Sequence, residues 1–207
     1  MPLLPMFLLL GGGAALLLAA RSYLKGPRCR WSGNCRVAVI GDSITAGGGY
    51  VTYLEQNLPR YDFHMFGGVG QGTAALLDEL LQRVLTENYD EVIIQGGLND
   101  IGRPDAANYI VGNLERMVRA AKSADKRVIL LSLTPWHERP ELIKEINSQL
   151  RLRTPFWGVD DYVNVWSPLA DGHGALRSDL VGDAAMSVHP NRAGQRLMGE
   201  RILADAY

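Results

Sequence analysis

The chain has few cysteines, no excess of either charge and no internal repeat, and each shortage removes a class of protein. Its only cysteines are Cys29 and Cys35. Two thiols alone make a poor metal site. They bracket the turn RWSGN just after a hydrophobic stretch, where a small disulfide loop would suit an oxidising compartment. A net charge of −1, with no basic stripe interleaved with aromatics, excludes an electrostatic case for nucleic acid. Low-complexity sequence is confined to the first twenty residues.

Those twenty, MPLLPMFLLLGGGAALLLAA, contain no charged side chain. As a helix they would reach about 30 Å, enough to cross the hydrocarbon core of a bilayer. They read as a membrane anchor or as a signal peptide with a cleavage site near Ala20, although no positive n-region precedes them. Arg21, Lys25, Arg28, Arg30 and Arg36 follow, with no acid before Asp42. Taken alone, that flank would stay cytoplasmic. The cysteine pair argues the other way, and the expectation is an anchored or exported domain facing the cell envelope. The organisation expected is thus a hydrophobic segment over 1–20, a basic linker with the cysteine pair over 21–35, and one domain over 36–207.

What is present from Arg36 onward is alternation. RVAVIG, YDFHMF, EVIIQGG, RVILLSLTP and YVNVW read as strands, most of them continuous apolar runs. Between them YVTYLEQNL, TAALLDELLQRVLT, AANYIVGNLERMVRAAKSA and RPELIKEINSQLRLR carry helical periodicity. PNRAGQRLMGERILADAY closes the chain as a helix, with Pro190 placed at its start. The stretch from Thr73 puts Leu76, Leu77, Leu80, Leu81 and Val84 on one face. Strands alternating with helices predict an α/β fold, a three-layer α/β/α sandwich around a five-stranded parallel sheet with flavodoxin-like order.

Chemistry-bearing residues cluster where the strands end, the edge at which open α/β sheets place ligands. GDSITAG follows the first strand and presents Ser43. FGGVGQGT follows the second, its glycines freeing N–H groups beside a helix start. GGLND follows the third and presents Asn99, and VHPN places His189 ahead of the last helix. A hydroxyl, backbone N–H groups, an amide and an imidazole supply the nucleophile, oxyanion donors and general base of acyl transfer. The simpler reading of Asp42 and Ser43 is that they only cap the next helix.

In order and approximate spacing, GDSITAG, the glycine block, GLND and HPN resemble the SGNH (GDSL-type) hydrolases over about residues 36 to 205. The resemblance implies Ser43 as nucleophile, His189 as base, and an oxyanion hole from Ser43, Gly70 and Asn99, with Gly72 as the alternative glycine. It implies a serine esterase acting on small-molecule, lipid or glycan esters, with no metal and no cofactor. The family usually has an Asp three residues before the His, and Met186 occupies that position. Asp183 is then the nearest preceding acid; a backbone carbonyl near Met186 holding the imidazole and a weak Ser-His dyad are the other arrangements. An O-acyltransferase, a catalytically impaired binding domain and a nucleotide-binding module on Gly68, Gly70 and Gly72 are the competing readings. Asp42 and Asp100 are expected to be turn and network residues, and His64, His137 and His173 structural or solvated. Trp136 is a candidate pocket wall, and Asn147 is given no role.

Overall fold

The computed structural model describes residues 34–182 and 188–207. The hydrophobic segment expected over 1–20, Cys29, and the pair Asp183 and Met186 lie outside the described residues. Among those described, no helix is long and apolar enough to cross a membrane. Cys35 is fully buried and is not a free thiol.

Five strands form one parallel sheet: β1 (Cys35–Gly41), β2 (Tyr61–Gly67), β3 (Glu91–Ile94), β4 (Arg127–Leu131) and β5 (Asp161–Val163). Their order is β2-β1-β3-β4-β5, the flavodoxin-like arrangement expected. The central strands are apolar on both faces because both faces are covered. Val37 to Ile40, Val92 to Ile94 and Val128 to Leu131 are buried throughout. Among the described residues, seven α-helices accompany the sheet: α1 (Ser43–Ala46), α2 (Gly49–Asn57), α3 (Thr73–Glu79), α4 (Ala106–Ser123), α5 (Pro140–Trp157), α6 (Trp166–Leu169) and α7 (Arg192–Ala206). The path runs from β1 outward to β2, then back past β1 to β3. Right-handed crossovers therefore place α2 on one face and α3, α4 and α5 on the other. α7 packs against α2, and α4 packs between α3 and α5. The three-layer sandwich predicted from the alternation is the structure found.

Register aligns the strand ends that matter. Gly41 pairs with Gly67, and Ile40 with both Phe66 and Ile94. The segments leaving β1, β2 and β3 therefore emerge side by side, at the point where the strand order reverses.

Several elements depart from the sequence reading. The helix expected from Thr73 to Thr86 changes to a π-helix over Leu80–Val84. Leu85 N–H bonds to Leu80 C=O, five residues back, and the wider turn moves Leu81 off the buried stripe. Leu81 is 44% exposed, while Leu76, Leu77, Leu80 and Val84 stay buried. α5 runs on to Trp157 through Pro155 and ends at Gly158, which has φ +81°. β5 is shorter than YVNVW and gives way to α6 at Trp166.

At the opposite end of the sheet, the first residues of three strands form a buried ionic cluster. Arg127 Nη1 donates to Glu91 Oε2 at 3.0 Å, and Nη2 to Asp161 Oδ2 at 2.7 Å and to Ala206 C=O. Tyr207 Oη donates to Glu91 Oε2 at 2.9 Å, tying the end of α7 under the sheet.

Candidate active site

Asp42 is both a cap and a neighbour of the nucleophile candidate. It is the N-cap of α1, and its Oδ1 accepts from Ile44 N–H at 3.0 Å. That bond starts a helix with Ser43 as its first residue. Ser43 N–H then has no intrahelical partner, and its side chain stands at the strand's mouth. The capping reading and the catalytic one are therefore compatible.

Beneath Ser43 lies a buried polar chain. Gln95 Nε2 approaches Asp42 Oδ2 at 3.5 Å, Thr45 Oγ1 donates to Gln95 Oε1 at 3.0 Å, and Thr45 Oγ1 lies 2.7 Å from Tyr50 Oη. Burial pushes the Asp42 carboxyl up to about 6, against the lowering effects of the Ile44 and Gln95 hydrogen bonds and the His189 charge. Burial also pushes the Tyr50 hydroxyl well up. Gln95 and Tyr50 were not singled out from the sequence. The available signal for Gln95 was a polar residue at the end of the apolar run EVIIQ.

His189 Nε2 lies 2.8 Å from Ser43 Oγ, across a separation of 146 residues. Several bonds fix the imidazole's loop. Gly182 N–H donates to His189 C=O at 2.8 Å and Asn191 N–H to Leu180 C=O at 2.7 Å. Asn191 also caps α7, its Oδ1 accepting from Ala193 and Gly194 N–H. One turn on, Gln195 Oε1 accepts from Tyr50 N–H and Gln195 Nε2 donates to Ile44 C=O, both at 3.1 Å. Gln195 thus ties α7 to α1 and holds His189 and Ser43 in one frame. The sequence reading missed it.

The oxyanion candidates converge from two other loops. Gly67 leaves β2 at φ +96°, and a Cβ there would lie 2.0 Å from Gly41 C=O. The loop then turns at Gly70, with φ +76° and open space around it. Asp100 fastens this loop to the Asn99 turn: its Oδ2 accepts from Thr73 N–H at 2.7 Å and Thr73 Oγ1 at 2.9 Å. Asn99 Nδ2 donates to Gln71 C=O at 2.9 Å. An amide nitrogen carries two N–H groups, so this bond fixes the side chain and leaves one donor for a ligand. A cavity of about 110 Å³ is lined by Ser43, Gly70, Asn99 and His189, among others. Gly70 lines it and Gly72 does not. Gly72 lies at the N-cap of α3, close against Asp100.

The remaining candidates lie elsewhere. Asn147 brackets Leu133, accepting from its N–H at 2.8 Å and donating to its C=O at 3.0 Å. Trp136 is not among the residues lining the 980 Å³ and 110 Å³ cavities at Ser43. His64 pairs with Asp62 at the edge strand, and His173 N–H donates to Asp171 in a loop. Among the described residues, no cluster of His, Cys, Asp and Glu is placed to hold a metal. Asp183 and Met186, on which the orientation of His189 was argued, lie outside the described residues.

Residues 39–197 match the GDSL-like Lipase/Acylhydrolase family. None of the curated proteins compared matches the chain. Among solved structures, the chain is similar to a GDSL-like lipase from Bacteroides thetaiotaomicron VPI-5482, with TM-score 0.70 and 22% identity over 93% of this chain and 96% of that one. It is similar to a lipase/acylhydrolase from Enterococcus faecalis, with TM-score 0.68 and 24% identity over 82% and 94%. A member of the lipolytic protein G-D-S-L family from Veillonella parvula DSM 2008 gives TM-score 0.69 and 22% identity over 82% and 97%. At these identities the structural likeness carries the fold, and the match over 39–197 carries the family. The chain belongs to the GDSL-like lipase/acylhydrolase family, serine hydrolases that act on esters.

Proposed function

We propose that the protein hydrolyses carboxylic esters by covalent catalysis at Ser43, with His189 as general base. The observation that carries this reading is the 2.8 Å approach of Ser43 Oγ to His189 Nε2. Ser43 Oγ attacks the acyl carbon while His189 Nε2 takes its proton. The carbonyl electron pair moves onto oxygen, where Ser43 N–H, Gly70 N–H and the free Asn99 N–H stabilise it. Collapse expels the alcohol, which takes the proton from His189. A water, deprotonated by the same imidazole, then attacks the acyl-enzyme and releases the acid and Ser43.

The imidazole also needs an acceptor for its Nδ1–H, so that Nε2 faces the serine. We assign that role to Asp183, whose carboxylate would also stabilise the imidazolium. The support is chemical: it is the nearest acid before His189, and the Met186 side chain offers no oxygen.

Kinetics of two variants test the assignment. Ser43→Ala is expected to abolish ester hydrolysis with the thermal unfolding midpoint retained. Asn99→Ala is expected to lower kcat by about 10²–10³, the cost of one oxyanion donor. Turnover near wild type in either folded variant contradicts the mechanism.

A further inference from the structure

A second cavity opens onto the same serine, and its charge is one-sided. It measures about 980 Å³ and runs from Ser43 and His189 between α2 and α7. Thr52, Tyr53 and Gln56 form one wall, and Arg192, Gln195 and Arg196 form the other. No Asp or Glu is among its lining residues. Arg196 is compensated from outside the groove, since its Nε donates to Glu200 Oε1 at 2.8 Å one turn along α7. Arg192 has no carboxylate partner among the described residues. The first N–H groups of α7 are already taken by Asn191, so the positive potential of this wall comes from the guanidinium. The chain as a whole carries a net charge of −1, so the cationic groove is a local feature.

We propose that this groove receives an anionic group of the ester substrate, a phosphate or carboxylate, and that Arg192 is the side chain that reads it. The inference rests on Ser43 being the nucleophile, because only then does the groove begin where the scissile ester sits. A guanidinium suits this task, since its planar fork offers paired donors to phosphate or carboxylate oxygens. The 110 Å³ cavity beside Gly70 and Asn99 accommodates the carbonyl and little more, so the larger part of the substrate is left to the groove. Because Arg192 is exposed, its effect is screened and belongs at the modest end of ion-pair energetics.

The test compares kcat/KM within two matched pairs of esters. Acetyl glycerol phosphate against acetyl glycerol places the anion on the alcohol side. A hemisuccinate ester against the butyrate ester of the same alcohol places it on the acyl side. Wild type is expected to prefer the anionic member of one pair, and which pair responds identifies the side occupied. In Arg192→Gln that preference should fall by about two- to fivefold. It should fall further in Arg192→Glu, and rise in Glu200→Gln, which releases Arg196. Added salt should erase it. The rise in Glu200→Gln separates a charge effect from damage to α7. Equal kcat/KM within both pairs, or an unchanged preference in Arg192→Gln, overturns the inference and leaves the Ser43 reading standing. No hydrolysis of any of the four esters overturns both.

Discussion

Asp42 shows how one residue serves the chain locally and the site at a distance. Its side chain starts α1, and its burial leaves a carboxyl that holds its proton up to about 6. Unfolded, that group titrates near 3.8. Between roughly pH 4 and 6 the folded protein therefore keeps a proton that the unfolded chain releases, and stability falls as pH rises through that window. Asp42→Asn removes the titration. Measured by denaturant unfolding, the wild type should lose up to about 3 kcal/mol relative to Asp42→Asn between pH 4 and pH 7. Identical pH profiles for the two proteins would show that the Asp42 carboxyl is not buried as described. At this scale the sequence was informative about placement, since Ser43, Asn99 and His189, read from their own chemistry at the strand ends, line one cavity. It was silent on Gln95, Tyr50 and Gln195, because a buried polar side chain is explained by partners brought to it through tertiary packing. Gln195 meets Ile44 across 151 residues, and no local pattern encodes that meeting.

At the scale of elements, the strand exits decide whether the site forms. β1 and β2 end in register at Gly41 and Gly67, and the backbones come too close there for a side chain. Gly67→Ala would add a Cβ 2.0 Å from a backbone carbonyl at φ +96°. It should cost about 3 kcal/mol or more in thermal or chemical unfolding, from backbone strain plus the displaced strand. Gly70→Ala, with open space around the added carbon, should cost only about 1–2 kcal/mol, the left-handed penalty alone. Equal costs at the two positions would contradict this account of the β2 exit. The strands themselves were legible as apolar runs because both sheet faces are covered. Helix interiors were legible less fully. Nothing in TAALLDELLQRVLT marks the point where its hydrogen bonding shifts by one residue, so Leu81 was placed on the buried face. The helical stretch RPELIKEINSQLRLR stops at Arg153, yet α5 runs on through Pro155 to the buried Trp157, because a proline in the last turn forfeits only one hydrogen bond.

At the scale of the molecule, chemistry and anchorage occupy opposite ends of one sheet. The ionic cluster at the strand starts buries Glu91 completely and leaves Arg127 only 8% exposed at its side chain. Arg127→Met should destabilise the fold by about 3–5 kcal/mol, because it strands the Glu91 and Asp161 carboxylates. Adding Glu91→Gln should recover part of that loss in the same unfolding experiment. No recovery would mean that Arg127 acts mainly through packing and its bond to Ala206. At the other end, everything assigned to catalysis depends on Ser43 and His189 working as a pair. The most direct measurement is labelling of the full chain with a fluorophosphonate, followed by peptide mass spectrometry, in wild type, Ser43→Ala and His189→Ala. The account predicts a single adduct on Ser43 in wild type, none in Ser43→Ala, and labelling slowed by orders of magnitude in His189→Ala. An unlabelled wild-type protein, or an adduct that persists in Ser43→Ala, would contradict it.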